Sequence, residues 1–266
     1  MKRKKSANRK LDNNQEKKDS TELIDSIKVR EKKKDFEKIS TGINAIDKIT
    51  KKGFVKGSVN MVMGATGTGK SILTIQFLLD GLKKGERCLY ISFEEKKEEV
   101  YSNLLQIGFN LEKYEKRDLF FFIEYTPKKV KTMLEEGGGE IESIIITKKI
   151  SRMGIDSISS FASLFSNISE ERDSIISLFS LLRKWEATVL LTSETDPRSS
   201  KQSVLDYEPD SIINLYSVME KNQRKNYLEV LKMRGTNHSK DLYEYDIGNG
   251  GIKVKGKAKS IKSLIF

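Results

Sequence analysis

Gly64-Ala65-Thr66-Gly67-Thr68-Gly69-Lys70-Ser71 decides how this chain is read, because it satisfies G-x-x-x-x-G-K-[ST]. Its flanks agree. Ser58-Val-Asn-Met-Val-Met63 before it has the apolar run of a buried strand. Ile72-Leu-Thr-Ile-Gln-Phe-Leu-Leu79 after it has the one-sided apolar spacing of a helix. Strand, glycine loop and helix together make a phosphate cradle. Glycines let successive backbone N–H groups turn inward onto phosphate oxygens with no Cβ in the way. The helix that starts there offers its positive dipole end. In such a loop residues 64–69 wrap the polyphosphate, Lys70 reaches the β- and γ-phosphates, Ser71 supplies a hydroxyl ligand to Mg²⁺, and Ile72 follows in the first helical turn.

With 266 residues the chain has room for one large α/β domain or two small ones. No apolar run is long enough for a membrane helix, and the basic N-terminus lacks the apolar stretch of a secretory signal. A cytoplasmic protein with no membrane partner is expected. The single cysteine, Cys88, sits in an apparent strand and reads as a small core residue. The net charge of +11 is uneven, and residues 1–38 supply about half of it. Residues 1–35 read as a basic disordered arm, 36–254 as the folded domain, and 255–266 as a basic tail with an apolar end. A basic arm suits nucleic acid, an anionic surface or an acidic partner; a solvated arm with no ligand is the preferred reading.

From residue 39 onward strand and helix patterns alternate, as a mainly parallel sheet flanked by helices requires. Strands are expected over 87–93, 119–125, 150–156 and 188–194, with helices between them, one opened by Pro127. Residues 196–202 read as a polar, mobile loop. After it only strands follow, over 211–216, 227–234, 242–247 and 252–254, which points to antiparallel strands closing one edge of the sheet.

Three further constellations carry chemistry. Asp156 ends a strand on the edge where ligands of open α/β sheets gather, so it is the candidate second metal residue; the alternative is a helix N-cap. Glu94 and Glu95 follow another strand at that edge. They suit the positioning or deprotonation of an attacking water, or simply the start of a surface helix. Lys232 and Arg234 share one face of a strand. They are either cations for a transferring phosphoryl group or edge charges that block aggregation. His238 is the only histidine and by itself reads as structural.

Taken together, Ser40-Thr-Gly-Ile43 through Asp47, the glycine loop, Ile91-Ser-Phe-Glu94-Glu95, Ile155-Asp156-Ser157, Lys232-x-Arg234-Gly-x-x-His238, and the closing Tyr243-Glu-Tyr-Asp-Ile247 with Gly251-Ile252 resemble the KaiC-like branch of the RecA superfamily of ATPases, related to the RadA recombinases. The resemblance spans residues 36–254. It implies a RecA-like core, ATP with Mg²⁺, and a homo-oligomer, usually a hexameric ring, with nucleotide between subunits. Lys70 and Ser71 would hold phosphates and metal, Glu94 and Glu95 would be the catalytic glutamates, and Asp156 the Walker B acid. Lys232, Arg234 and His238 would face the neighbour's nucleotide, the first two as trans fingers. A slow ATPase acting as a switch on a protein client is the leading expectation. A DNA-binding recombinase paralogue and an autokinase are the alternatives. Two departures stand out. The entry loop Lys52-Gly53-Phe54-Val55-Lys56-Gly57 lacks the family's proline, and the Asp156 strand carries Arg152 and Gly154 in an otherwise apolar run.

Overall fold

The structure, a computed structural model, describes residues 36–198 and 204–258. The arm at 1–35, the end of the tail from 259, and residues 199–202 of the expected loop lie outside the described residues. The described chain opens with β1 (Lys38–Ile39), α1 (Asn44–Ile49) and β2 (Phe54–Val55), and β1 and β2 pair antiparallel as a small separate sheet. β3 (Val59–Gly64) then runs through the glycine loop into α2 (Lys70–Lys83). β4 (Cys88–Ser92), α3 (Lys97–Gln106), α4 (Glu112–Glu115), β5 (Phe120–Glu124), α5 (Pro127–Glu136), α6 (Gly139–Lys148), β6 (Arg152–Asp156), α7 (Ile158–Ala162), α8 (Ile168–Lys184) and β7 (Thr188–Ser193) follow. The chain closes with β8 (Ser211–Glu220), β9 (Gln223–Met233), β10 (Tyr243–Gly248) and β11 (Gly251–Lys257).

Nine of these strands form one sheet in the order β11-β10-β9-β8-β3-β7-β6-β4-β5. From β8 to β5 every pair is parallel, whereas β9, β10 and β11 are antiparallel to their neighbours. The parallel strands are buried on both faces, which explains their unbroken apolar runs. On one face Leu73, Phe77 and Leu78 of α2 pack on Tyr90, Leu190 and Ile213. On the other, Ile175, Phe179 and Leu182 of α8 pack on Val59, Met61 and Leu191. Cys88 is buried in the first of these cores. Among the described residues no helix is long and apolar enough to cross a membrane.

Two boundaries differ from expectation. β8 and β9 run further, to a tight turn at Lys221 and Asn222 with φ of 43° and 67°. Positive φ at both central residues matches the right-handed twist of the strands and lets the hairpin lengthen. At the other end β11 continues to Lys257. Lys255 pairs with Glu244 and Asp246, and Lys257 with Asp241, along the edge.

The departures within β6 have a packing cause. Gly154 lies under α2, where a Cβ would come within 2.6 Å of Thr74 Cγ2. Arg152 is 1% exposed. Its guanidinium donates to Glu86 at 2.7 and 2.9 Å and to the carbonyls of Ser40 and Phe77 at 2.9 Å, and it lies 3.1 Å from Asp80. Burial alone would raise the pKa of Glu86. The hydrogen bonds and charge of Arg152 outweigh burial and leave the Glu86 pKa below its ordinary value, and for Asp80 the bonds from Lys84 and Ser40 together with Arg152 do the same. Replacing Arg152 with Met strands two half-covered acids and is expected to cost about 3 kcal/mol, the low end for a broken buried pair because both acids keep access to water. Stability held by a depressed carboxylate is present above its unfolded pKa and lost as pH falls through the folded one. Denaturant titrations should therefore show the gap between wild type and R152M shrinking below about pH 4.

Candidate nucleotide site

The cleft is built where the parallel strands end. β3, β4, β6 and β7 lie side by side in register, with Met63 opposite Ser193 and Ser92 opposite Asp156. Side chains just beyond those positions converge on one cleft of about 420 Å³, lined by Lys70, Ser71, Glu94, Glu95, Asp156 and Glu194 together with Thr66, Gly67, Gly69, Ile72 and Ile247.

Backbone geometry makes the cradle. Gly67 and Gly69 have φ of 80° and 90°, a region that side chains avoid. At Gly67 a Cβ would meet nothing within 4 Å, so the turn is open toward the cleft. At Gly69 a Cβ would strike Ile247 Cδ1 at 2.7 Å, and at Gly64 it would come within 2.6 Å of Thr68 Oγ1. Gly69 also caps α2, so the positive helix end opens here. Thr68 differs from its neighbours. It is buried, and its hydroxyl donates inward to the Ala65 carbonyl at 2.7 Å while its own carbonyl accepts from Tyr245 of β10 at 2.5 Å. Of the loop residues expected at the phosphates, Thr68 thus presents no side chain to the cleft, and Ala65 contributes a carbonyl that also accepts from Lys70 Nζ at 3.2 Å.

Asp156 does not cap the helix that follows it. Its Oδ2 accepts from the Tyr90 phenol at 2.7 Å and its Oδ1 from the Thr192 hydroxyl. Tyr90 is fully buried, and burial, then the charge of Asp156, pushes its pKa well above the usual phenol value, so it stays a donor. With both oxygens held, Asp156 is fixed in the wall of the cleft that Ser71 also lines. The replacement Y90F is expected to weaken Mn²⁺ binding to the ADP complex about tenfold, read by electron paramagnetic resonance, as loss of a group that orients a metal residue does.

Glu94 and Glu95 lie in the turn before α3, whose first helical residue is Lys97. The Ser92 hydroxyl pins this turn, donating to the Glu95 carbonyl at 2.7 Å and accepting from the Glu95 amide at 3.0 Å. The Glu94 carboxylate accepts from Ser157 at 3.3 Å and from Ser160. Among the described residues no side chain hydrogen-bonds the Glu95 carboxylate. Both acids have raised pKa values: Glu94 through burial, then Glu194, and Glu95 through burial, then Asp156.

Lys232, Arg234 and His238 are not brought into this cleft. Arg234 N donates to Asp210 O and Asp210 N to Val59 O, which puts Arg234 at the start of β3, the opposite end from Gly64. Five residues of strand separate those ends, roughly 16 Å. Lys232 and Arg234 do share a face: both donate to the Tyr207 carbonyl, at 2.7 and 2.5 Å. Burial, then Arg234, lowers the pKa of Lys232. His238 is half-buried, and its Nδ1 has no partner among the described residues.

The residues of the cleft fit a polyphosphate with a hard cation. An open glycine turn, one lysine and a helix N-terminus suit phosphate; the Ser71 hydroxyl and the fixed Asp156 carboxylate suit Mg²⁺. Among the described residues no group of three or more His, Cys, Asp or Glu is placed to hold a metal ion. Mg²⁺ characteristically takes one or two protein ligands and completes its shell with phosphate and water. Glu194 and Tyr90 were not candidates from sequence. Glu194 carries no motif, and Tyr90 looks like any aromatic residue of a core strand.

Comparison with known proteins places the chain by sequence and by fold. Residues 39–259 match the family model described as "ATPase: KaiC". The circadian clock oscillator protein KaiC of Parathermosynechococcus lividus is 32% identical over 232 residues, 86% of this chain and 42% of that relative. The circadian clock protein KaiC3 of Synechocystis is 30% identical over 246 residues, 91% of this chain and 48% of that relative. The chain thus spans less than half the length of these relatives. The crystal structure of a KaiC-like protein from the hyperthermophilic archaeon Pyrococcus horikoshii superposes with a TM-score of 0.74 at 27% identity, covering 83% of this chain and 99% of the other.

Proposed function

The chain belongs to the KaiC family of ATPases, and on that premise we propose that it binds ATP with Mg²⁺ and hydrolyses it slowly, in a cytoplasmic ring of like subunits. The observation that carries the reading is the meeting of Lys70, Ser71, Glu94, Glu95 and Asp156 in one cleft, from three separate strand ends. Backbone amides of residues 64–69 and the Lys70 ammonium would hold the phosphates, and Ser71 with Asp156 would hold the metal. Bound Mg²⁺ supplies charge neutralisation at the phosphates. Glu95 orients and deprotonates the attacking water, while Glu94, tied to Ser157 and Ser160, keeps its place beside it.

Lys232 and Arg234 belong to the same reading as fingers for a neighbouring subunit. Their placement at the far end of β3 leaves them out of reach of their own cleft, so any nucleotide they serve belongs to another copy. Hydrolysis would then alter that contact, which is how a ring of this kind would switch a protein client.

Complementation tests the whole reading. Wild-type protein should release phosphate from Mg·ATP, and K70A and R234A should each be inactive. A mixture of the two should regain turnover, because a cleft from the R234A copy meets intact fingers from the K70A copy. Mixed assemblies without recovery would rule out the shared site, and a wild-type assembly without turnover would rule out the ATPase.

A further inference from the structure

Glu194, the residue directly after β7, is the acid that engages the cation of the cleft. Its Oε1 lies 3.6 Å from Lys70 Nζ and accepts from the Thr66 hydroxyl at 3.4 Å, so one carboxylate touches two residues of the glycine loop. Its backbone is fixed: Glu194 N donates to Ser159 Oγ at 2.7 Å. Ser159 belongs to α7, the short helix whose Ser160 holds Glu94. A single element therefore sets both acids.

Charge in the cleft is lopsided. Glu94, Glu95, Asp156 and Glu194 line it, and Lys70 is its one lining cation among the described residues. Asp156 is committed to Tyr90 and Thr192, and Glu94 to serine hydroxyls. Among the described residues only Glu194 is paired with Lys70, which is itself buried at 6% exposure. An ammonium in this position has two competing anionic ligands, the carboxylate already beside it and an incoming phosphate. A terminal phosphate that takes Lys70 also leaves Glu194 as a like charge at close range.

We propose that Glu194 guards Lys70 and so biases the cleft against a nucleoside triphosphate relative to the diphosphate. The inference rests on the nucleotide reading of this cleft and adds a regulatory charge to it. A diphosphate brings less charge to the lysine and leaves more of the Lys70–Glu194 pair intact. A triphosphate must break that pair and tolerate the freed carboxylate. Glu194 is 43% exposed, so solvent screens the penalty and the effect is moderate. Because α7 fixes both the Glu194 backbone and Glu94, occupancy of Lys70 is communicated to the acid that flanks the attacking position.

Calorimetric titration of the full chain tests this, using Mg·ADP and a Mg-bound non-hydrolysable triphosphate analogue against wild type and E194Q. The isosteric amide keeps the size and the contact with Thr66 while removing the charge. E194Q is expected to bind the triphosphate analogue about tenfold more tightly and ADP less than about threefold more tightly. Equal changes for the two ligands, or weaker triphosphate binding, would overturn the proposal while leaving the nucleotide reading intact. Wild-type protein that binds neither ligand would overturn both.

Discussion

K70A is expected to lower the affinity for Mg·ATP about a hundredfold and turnover about a thousandfold, with the melting temperature unchanged. Among the described residues Lys70 is the only cation lining a cleft that holds four carboxylates. Its removal takes away a charge-assisted bond to phosphate and leaves the acids unopposed. Glu194 then faces the ligand with no counter-ion, and Glu94 loses a lowering influence on its pKa. Stability should survive, because the side chain is seated at the wall of an open cleft and its bonds are to Ala65 O and Glu194 rather than to core atoms. Arginine in its place is not expected to rescue, since its planar fork does not fit a turn shaped around a point charge. Fluorescent-nucleotide titration and phosphate release, with a melting curve as control, check all three parts. A K70A protein with wild-type affinity would remove the glycine loop from the site.

What was legible in the sequence follows one rule. Features fixed by neighbours along the chain were readable, and features fixed across the fold were not. The glycine loop announces itself because its backbone demands glycine at 64, 67 and 69 and its flanks are contiguous. Asp156 was legible as a strand end, and the nine-strand sheet was legible from alternation followed by a run of strands. Thr68 matched the loop pattern, yet it turns inward to Ala65, because Tyr245 from a distant hairpin pins its carbonyl. Arg152 looked like an interruption of an apolar strand. It is satisfied by Glu86 and Asp80, partners whose proximity only the packing of α2 creates. Glu194 is an ordinary strand-end acid until the loop that holds Lys70 is folded against it. The proposed roles of Lys232 and Arg234 depend on a second copy. Their distance from their own cleft agrees with that dependence and leaves it to the mixing experiment.

E95Q is expected to reduce turnover by about a thousandfold while Mg·ATP still binds, and E94Q by about tenfold, a contrast that separates two adjacent glutamates. The two carboxylates differ in what holds them. Glu94 is committed through its Oε1 to both Ser157 and Ser160, so its part is to position. Glu95 has a backbone clamped by Ser92 and a carboxylate with no side-chain donor among the described residues, which leaves it available to take a proton from water. Burial and then the charge of Asp156 raise its pKa above the ordinary 4.5. A base works only when deprotonated, so turnover must fall as pH drops through that raised value. The acid limb of the wild-type profile should accordingly lie above pH 4.5. Removing a negative neighbour lowers the pKa of an acid, so D156N should move the limb toward lower pH even as metal affinity falls; the shift is read at saturating Mg²⁺. If E94Q proves the more damaging variant, the water belongs to Glu94 and its two serines, and the limb should then follow Glu194 instead, because that charge stands second only to burial in raising the Glu94 pKa.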